Sequence, residues 1–195
     1  MEREPSNRFL EADTPPPQPP THEIEDEHDV EELFTDKHFC RRLALDEAED
    51  AEVSEKVSWT RVGEVYPTDT EEGLLPANLS HDDIAQGSHP DCFFISSVIA
   101  LAKSDPELIR RVFVSKEFKR SGKYVFQFYR WDKWVKVVID DTIACTANKS
   151  GGKGSPAFKP MHARSPTSRV WPLLLEKAYA KFYGSFACLE GGNLT

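Results

Sequence analysis

Apolar and polar positions alternate in distinct ways along the chain, and the rhythm changes several times. From Cys92 onward, apolar residues at 94, 95, 98, 99, 101 and 102 recur at the three-to-four-residue interval of a helix that is mostly buried. Ser104-Asp105-Pro106-Glu107 then supplies a cap residue, a proline and a first-turn acid, which predicts a second helix carrying Leu108, Ile109, Val112 and Phe113. The period drops to two at Tyr124-Val125-Phe126-Gln127-Phe128-Tyr129. A polar turn at Asp132-Lys133 and a second apolar run, Trp134 to Ile139, complete the pattern of a β-hairpin. Asp140-Asp141 closes that strand, where an Asp caps a turn. Residues 145–169 are rich in Gly, Ser, Lys and Pro and are expected to form a long loop. A last helix begins at Trp171-Pro172 and buries Trp171, Leu174, Leu175, Ala178, Tyr179 and Phe182, with Gly184 as its stop. Glu176 and Lys177 fall on or beside its polar face and are expected in solvent.

The first part of the chain has no such rhythm. Six of the fourteen prolines lie in the first twenty residues, and an acidic run from Glu23 to Glu32 follows. Such a stretch cannot bury enough apolar surface to offset its ordering entropy, so residues 1–32 are expected to be a disordered extension, an inert spacer or a polyproline ligand. Residues 33–56 form a linker in which Leu33, Phe34, Phe39, Leu43 and Leu45 suggest a short docking helix. The folded part is expected over 57–195. There Trp59 and Arg61 read as a buried anchor, and Pro67 to Ser80 as a loop.

Charge sharpens that division. Residues 1–58 hold 18 acidic and 6 basic residues, a net of −12, whereas the remainder holds 15 acidic and 18 basic, a net of +3. The acidity belongs to the extension. Nothing in the folded part resembles a basic nucleic-acid surface, and its aromatic residues read as core and cross-strand pairs. No apolar run reaches membrane-spanning length. Four scattered cysteines without a C-x-x-C pair, and no signal-peptide pattern, predict reduced thiols in a cytoplasmic setting. The glycine- and lysine-containing loop lacks phosphate-cradle spacing.

The candidate chemistry lies at the start of the first helix. Pro90 fixes the entering backbone, and Asp91 can offer its carboxylate to first-turn N–H groups. Cys92 then occupies the first turn, where unpaired N–H groups and the positive dipole end favour thiolate over thiol. Gln86, six residues earlier, can fold back to offer an amide N–H. An amide and a backbone N–H together are the two donors an acyl-transfer oxyanion needs. The plainer reading is a small buried hydrophobic cysteine. His89, three residues before Cys92, raises a Cys–His dyad, but a short loop rarely aims both groups correctly. A metal site at His89 and Cys92 lacks two further ligands.

Gln86-Gly87, followed by Asp91-Cys92 and an apolar helix, resembles the Q-G-x-x-G-D-C-W block of calpain cysteine proteases. Trp134 to Asp141, Leu174 to Lys181 and Gly191-Gly192 resemble further calpain blocks in the same order, and Ser58 to Val65 resembles the segment that opens the calpain core. The resemblance covers roughly Trp59 to the C-terminus and matches the first half of the protease core. It implies an α+β fold, the Cys-bearing subdomain of a papain-like protease, with Cys92 as nucleophile and Gln86 in the oxyanion hole. It implies a protein or peptide substrate and a second subdomain bearing His and Asn, announced by G-H-[AS]-Y and N-x-W segments that residues 1–195 lack. Without them the chain is expected to be inactive alone. The alternatives are a non-catalytic, calpain-like binding or regulatory module, or simply a soluble α+β binding domain.

Three positions depart from the pattern. Pro90 stands where calpains carry Gly and Phe93 where they carry Trp. The resemblance also implies a calcium site with Asp83 as one carboxylate, but Ala187 stands where calpains place the second. Calcium binding is therefore expected to be weak or absent, with Asp83 the vestige of that site.

Overall fold

The structure, a computed structural model, describes residues 32–39, 44, 57–66, 73–87, 90–147, 158–160 and 163–191. The acidic, proline-rich segment 1–31 lies outside the described residues.

Two antiparallel sheets and two long helices make up the fold. Strand β1 (Val57–Arg61) runs into a single helical turn, α1 (Val62–Val65). A 3-10 turn at His81–Asp83 precedes helix α2 (Cys92–Ser104) and helix α3 (Pro106–Val112). Then come β2 (Lys123–Arg130), β3 (Lys133–Asp140), β4 (Thr142–Ala147), β5 (Phe158–Pro160) and helix α4 (Trp171–Tyr183). The sheets are the hairpin β2–β3 and a three-stranded sheet in the order β1–β4–β5.

Local chemistry accounts for most of these boundaries. Asp105 caps α3 by accepting the Glu107 N–H at 3.2 Å, with Pro106 in the first turn where its missing N–H costs nothing. Gly184 closes α4 at φ 121°, a conformation open to residues without a Cβ. The hairpin turn is Trp131-Asp132, one residue earlier than the polar pattern indicates. Both residues have positive φ, 48° and 59°, as a two-residue turn between twisted strands requires. Lys133 is already paired, opposite Arg130.

One expectation needs correcting. The stretch 145–169 is not wholly loop: β4 extends to Ala147, and Phe158–Pro160 adds a third strand beside it. The pairing that makes β4 a strand comes from β1, where Trp59 faces Ala144 and Thr60 faces Ile143. Trp59 and Arg61 are thus sheet residues, with the Arg61 guanidinium paired to the Asp141 carboxylate. Within the linker, residues 33–39 form no helix, Ala44 is helical, and the rest of the segment up to residue 56 lies outside the described residues. The Asp36 carboxylate accepts the N–H groups of His38 and Phe39, at 3.0 and 3.2 Å, and holds a turn in place of a helical ladder. Phe39 is nonetheless buried beside Phe186, and Phe34 donates its N–H to the Ser121 carbonyl at 2.7 Å.

Helix α4 is the spine of the fold. Every residue from Trp171 to Ala178 is buried, so its first two turns have no solvent face. Glu176 and Lys177, expected in solvent, are each 1% exposed. Helix periodicity misplaces them because α4 is covered on both sides. Lys177 reaches the back sheet, donating to Asp140 Oδ1 at 2.5 Å and to the Thr142 carbonyl at 2.6 Å. Asp140 also caps the turn into β4 through the N–H and hydroxyl of Thr142, and accepts the Asp36 N–H at 2.8 Å. One turn further on, Lys181 pairs with Asp36 at 2.6 Å. A buried cation is tolerable only when paired and hydrogen-bonded, and here both conditions are met. Glu176, on a different side of the helix, meets Asp91, the residue before Cys92.

Candidate active site

Cys92 is the first residue of α2, and its thiol is exposed. Asp91 occupies the cap position and its carbonyl accepts the Ile95 N–H at 3.1 Å. Its side chain does not cap, contrary to the sequence expectation. It is fully buried and meets Glu176, whose Oε2 accepts the Ala163 N–H at 2.7 Å. Two carboxyl groups therefore face each other immediately before Cys92. Neither Asp91 oxygen has a donor while both acids are ionised. Burial above all, and then the opposing Asp91 carboxylate, push the Glu176 carboxyl well above its ordinary value. A proton kept on Glu176 supplies the donor that Asp91 otherwise lacks.

The far wall beside Cys92 is backbone. The Gly191 N–H donates to the Pro90 carbonyl at 2.9 Å, which ties the segment after α4 to the loop that delivers the cysteine. A Cβ at Gly191 would lie 3.3 Å from Cys92 Sγ and 3.3 Å from the Phe93 ring. A larger residue at 191 would crowd the sulfur and the Phe93 ring. Phe93, the first-turn neighbour, is 44% exposed and forms part of the wall of a cavity of about 460 Å³ between α2, α3, β2 and α4. Ser97, Phe128, Tyr179, Tyr183 and Leu189 complete much of the lining, so the cavity that Phe93 borders is largely apolar.

Gln86 lies on the approach to Cys92, on an exposed stretch. The path from it to Pro90 runs through 88 and 89, so His89 lies outside the described residues, as do His22, His28 and His162. What fixes Gln86 is the segment before α4. Ala85 and Arg164 exchange both backbone hydrogen bonds, at 2.9 and 2.8 Å, and the Arg164 guanidinium donates twice to the Gln86 carbonyl, at 3.0 and 2.8 Å.

Three residues upstream, Asp83 is 2% exposed. Its Oδ1 accepts the Thr167 hydroxyl at 2.7 Å and lies 3.4 Å from Arg169 Nε. Its Oδ2 accepts Trp171 Nε1 and the Ser80 N–H, each at 3.1 Å. A calcium ion asks for six to eight oxygens. This carboxylate is instead ringed by N–H and O–H hydrogens and a guanidinium, so the donor set does not fit that ion. Among the described residues no three His, Cys, Asp or Glu side chains converge as a metal site would need.

The remaining cysteines differ from Cys92. Cys145 is buried in β4, and burial pushes its thiol up to about 12. Cys188 is exposed and accepts a hydrogen bond from Ser185 at 3.4 Å.

Comparison with known families matches residues 34–195 to the calpain family cysteine proteases. The chain belongs to the calpain family. Similar proteins include the calpain-type cysteine protease ADL1 of Oryza sativa subsp. japonica, 32% identical over 83% of this chain and 7% of that protein. Calpain clp-1 of Caenorhabditis elegans is 36% identical over 71% of this chain and 16% of its own length. Calpain-5 of the same organism is 33% identical over 73% of this chain and 21% of its own. The chain thus spans a small part of these calpains. Its helices and small antiparallel sheets are those of an α+β protease core domain. Among the described residues no helix is long and apolar enough to cross a membrane.

The Asp91–Glu176 contact and the closeness of Gly191 to Cys92 are the features of this candidate site that the sequence alone does not show. Asp91 is read there as a helix cap, Glu176 as a surface residue, and Gly191 only as part of a block. No short spacing links any of them to the others.

Proposed function

We propose that this chain supplies the nucleophile half of a calpain-type cysteine endopeptidase acting on protein or peptide substrates. The observation that carries the reading is the exposed Cys92 at the N-terminus of a long helix, with a glycine wall on one side and an apolar cavity beside Phe93. In this role the Cys92 thiolate adds to the scissile carbonyl carbon, and the oxyanion takes hydrogen bonds from the Cys92 N–H and the Gln86 side chain. Collapse of that adduct breaks the C–N bond and leaves an acyl-thioester, while the departing amine requires a proton. No side chain described near Cys92 is a suitable base, so His and its orienting Asn come from a second subdomain. General acid–base help contributes about 10²–10⁴-fold, so residues 1–195 alone leave amides uncut. The apolar cavity receives a hydrophobic side chain of the substrate.

The test pairs labelling with turnover. A peptidyl epoxide should alkylate Cys92, while a fluorogenic peptide should show no cleavage above that of a Cys92→Ser control. An inert Cys92 would favour the non-catalytic binding module. Cleavage abolished by Cys92→Ser would reveal a base within the chain, and His89 would be the first residue to change.

A further inference from the structure

We propose that Arg169 acts as a resident cation on Asp83, holding the Gln86 loop in position so that this subdomain needs no calcium to set its oxyanion donor. The inference rests on the proposed role of Gln86, but its geometry stands apart from catalysis. Asp83 ends the 3-10 turn that Ser80 opens with a reciprocal capping box, and Gln86 follows three residues later. Between them Ile84 is buried and Ala85 is bridged to Arg164. The whole run from Ser80 to Gln86 therefore leans on residues 163–171, and its deepest attachment is the Asp83 carboxylate.

That attachment needs positive charge. A carboxylate 2% exposed loses nearly all its hydration, and neutral donors alone replace it incompletely. Thr167, Trp171 and the Ser80 N–H are neutral, whereas the Arg169 guanidinium is charged at every relevant pH. The other charged groups nearby are engaged elsewhere: His81 contacts the exposed Asp82 carboxylate at 3.3 Å, and Arg164 is turned onto the Gln86 carbonyl. A guanidinium so close would repel an incoming divalent ion. Being covalently attached, it is also always present, whereas an ion binds only above its dissociation constant. A loop held this way has no calcium threshold.

Amide hydrogen exchange on the full chain reads the proposal without relying on activity. In the wild type, exchange across residues 80–87 should be unchanged by calcium up to about 1 mM, the weak end of protein calcium sites. Arg169→Gln should accelerate exchange in 80–87 and 163–169 by about tenfold, as the buried Asp83 carboxylate loses the cation 3.4 Å from it. Arg169→Lys should restore part of the protection. Two results would overturn the idea: calcium slowing exchange at 80–87 in the wild type and not in Asp83→Asn, or Arg169→Gln leaving that stretch at the wild-type rate. Because Arg169 is partly exposed, its replacement leaves the core intact. Failure of Cys92 to react would sink the catalytic reading and leave this result standing.

Discussion

Helix α4 carries two buried charged clusters that face opposite ways and are built on opposite principles. Behind it, Lys177 and Lys181 meet Asp140, Asp36 and Thr142, and every ammonium and carboxylate in the group has a partner of opposite charge. In front, Glu176 meets Asp91, acid against acid, with carboxylate oxygens that have no donor unless a proton is shared. The rear cluster resolves its electrostatics and ties linker, sheets and helix together. The front one leaves them unresolved, next to Cys92, the candidate nucleophile. Proteins place such local conflicts at functional sites and offset them elsewhere, and α4 shows both halves of that arrangement in consecutive residues.

The sharpest way to break the contrast is to remove one partner at the rear. Lys177→Met leaves Asp140 buried without its cation and should cost about 3–5 kcal/mol, seen as a shifted urea midpoint. A loss under about 1 kcal/mol would show that the rear cluster does not carry the stability assigned to it.

The two clusters should next be separable by pH, because their carboxyls are displaced in opposite directions. Glu176 is raised, so its contribution is complete below its ordinary value of 4.5 and is lost as pH rises toward its folded value. At Asp140 burial works upward, but the Lys177 ammonium and the donors from Thr142 and Asp36 outweigh it. Its carboxyl is held below 3.8, and its contribution is lost as pH falls through the folded value. Glu176→Gln should therefore flatten the decline of stability between pH 4.5 and neutrality while leaving acid unfolding in place. A variant with the wild-type slope would mean that the front pair does not share a proton.

The thiols give a further comparison. Iodoacetamide should modify Cys92 well before Cys145, which is buried in the rear sheet with its thiol pushed up to about 12. Labelling in the reverse order would contradict the front-to-back contrast. The smallest effect concerns the glycine wall. Gly191→Val should slow Cys92 alkylation several-fold by crowding Sγ at 3.3 Å, with stability changed by less than about 1 kcal/mol.

What could be read from the sequence follows the range of the forces involved. The start of α2, the cap of α3, the hairpin and the Gly184 stop rest on neighbours within a few residues, and the sequence shows them. The third strand does not show, because Phe158–Pro160 is strand only through pairing with β4, inside a stretch whose composition says loop. The same limit applies to α4. Helical periodicity puts Glu176 and Lys177 in solvent because charged residues normally end there, and the partners that bury them lie on α2, β3 and β4. At the candidate site, Cys92 and Gln86 are singled out by local pattern and resemblance. The partners of Asp83 are not, since Thr167 and Trp171 approach it from 84 and 88 residues away.

The adjacency of Glu176 and Lys177 also works as a two-toothed key. Successive helix positions point about 100° apart, so turning α4 by one residue would bring Lys177 round to Asp91 and present Ala178 to Asp140. The back sheet would then keep its carboxylates and lose the cation that balances them. Sliding the helix by a turn would bring Lys181 to Asp140, but it would put Ala180 opposite Asp91 and take from Asp36 the cation it now pairs with. A greasy helix between two layers can normally settle in several rotations of similar energy. This one has a single seating, and the bed beneath the cysteine is therefore indexed to the sheet on the other side of the molecule.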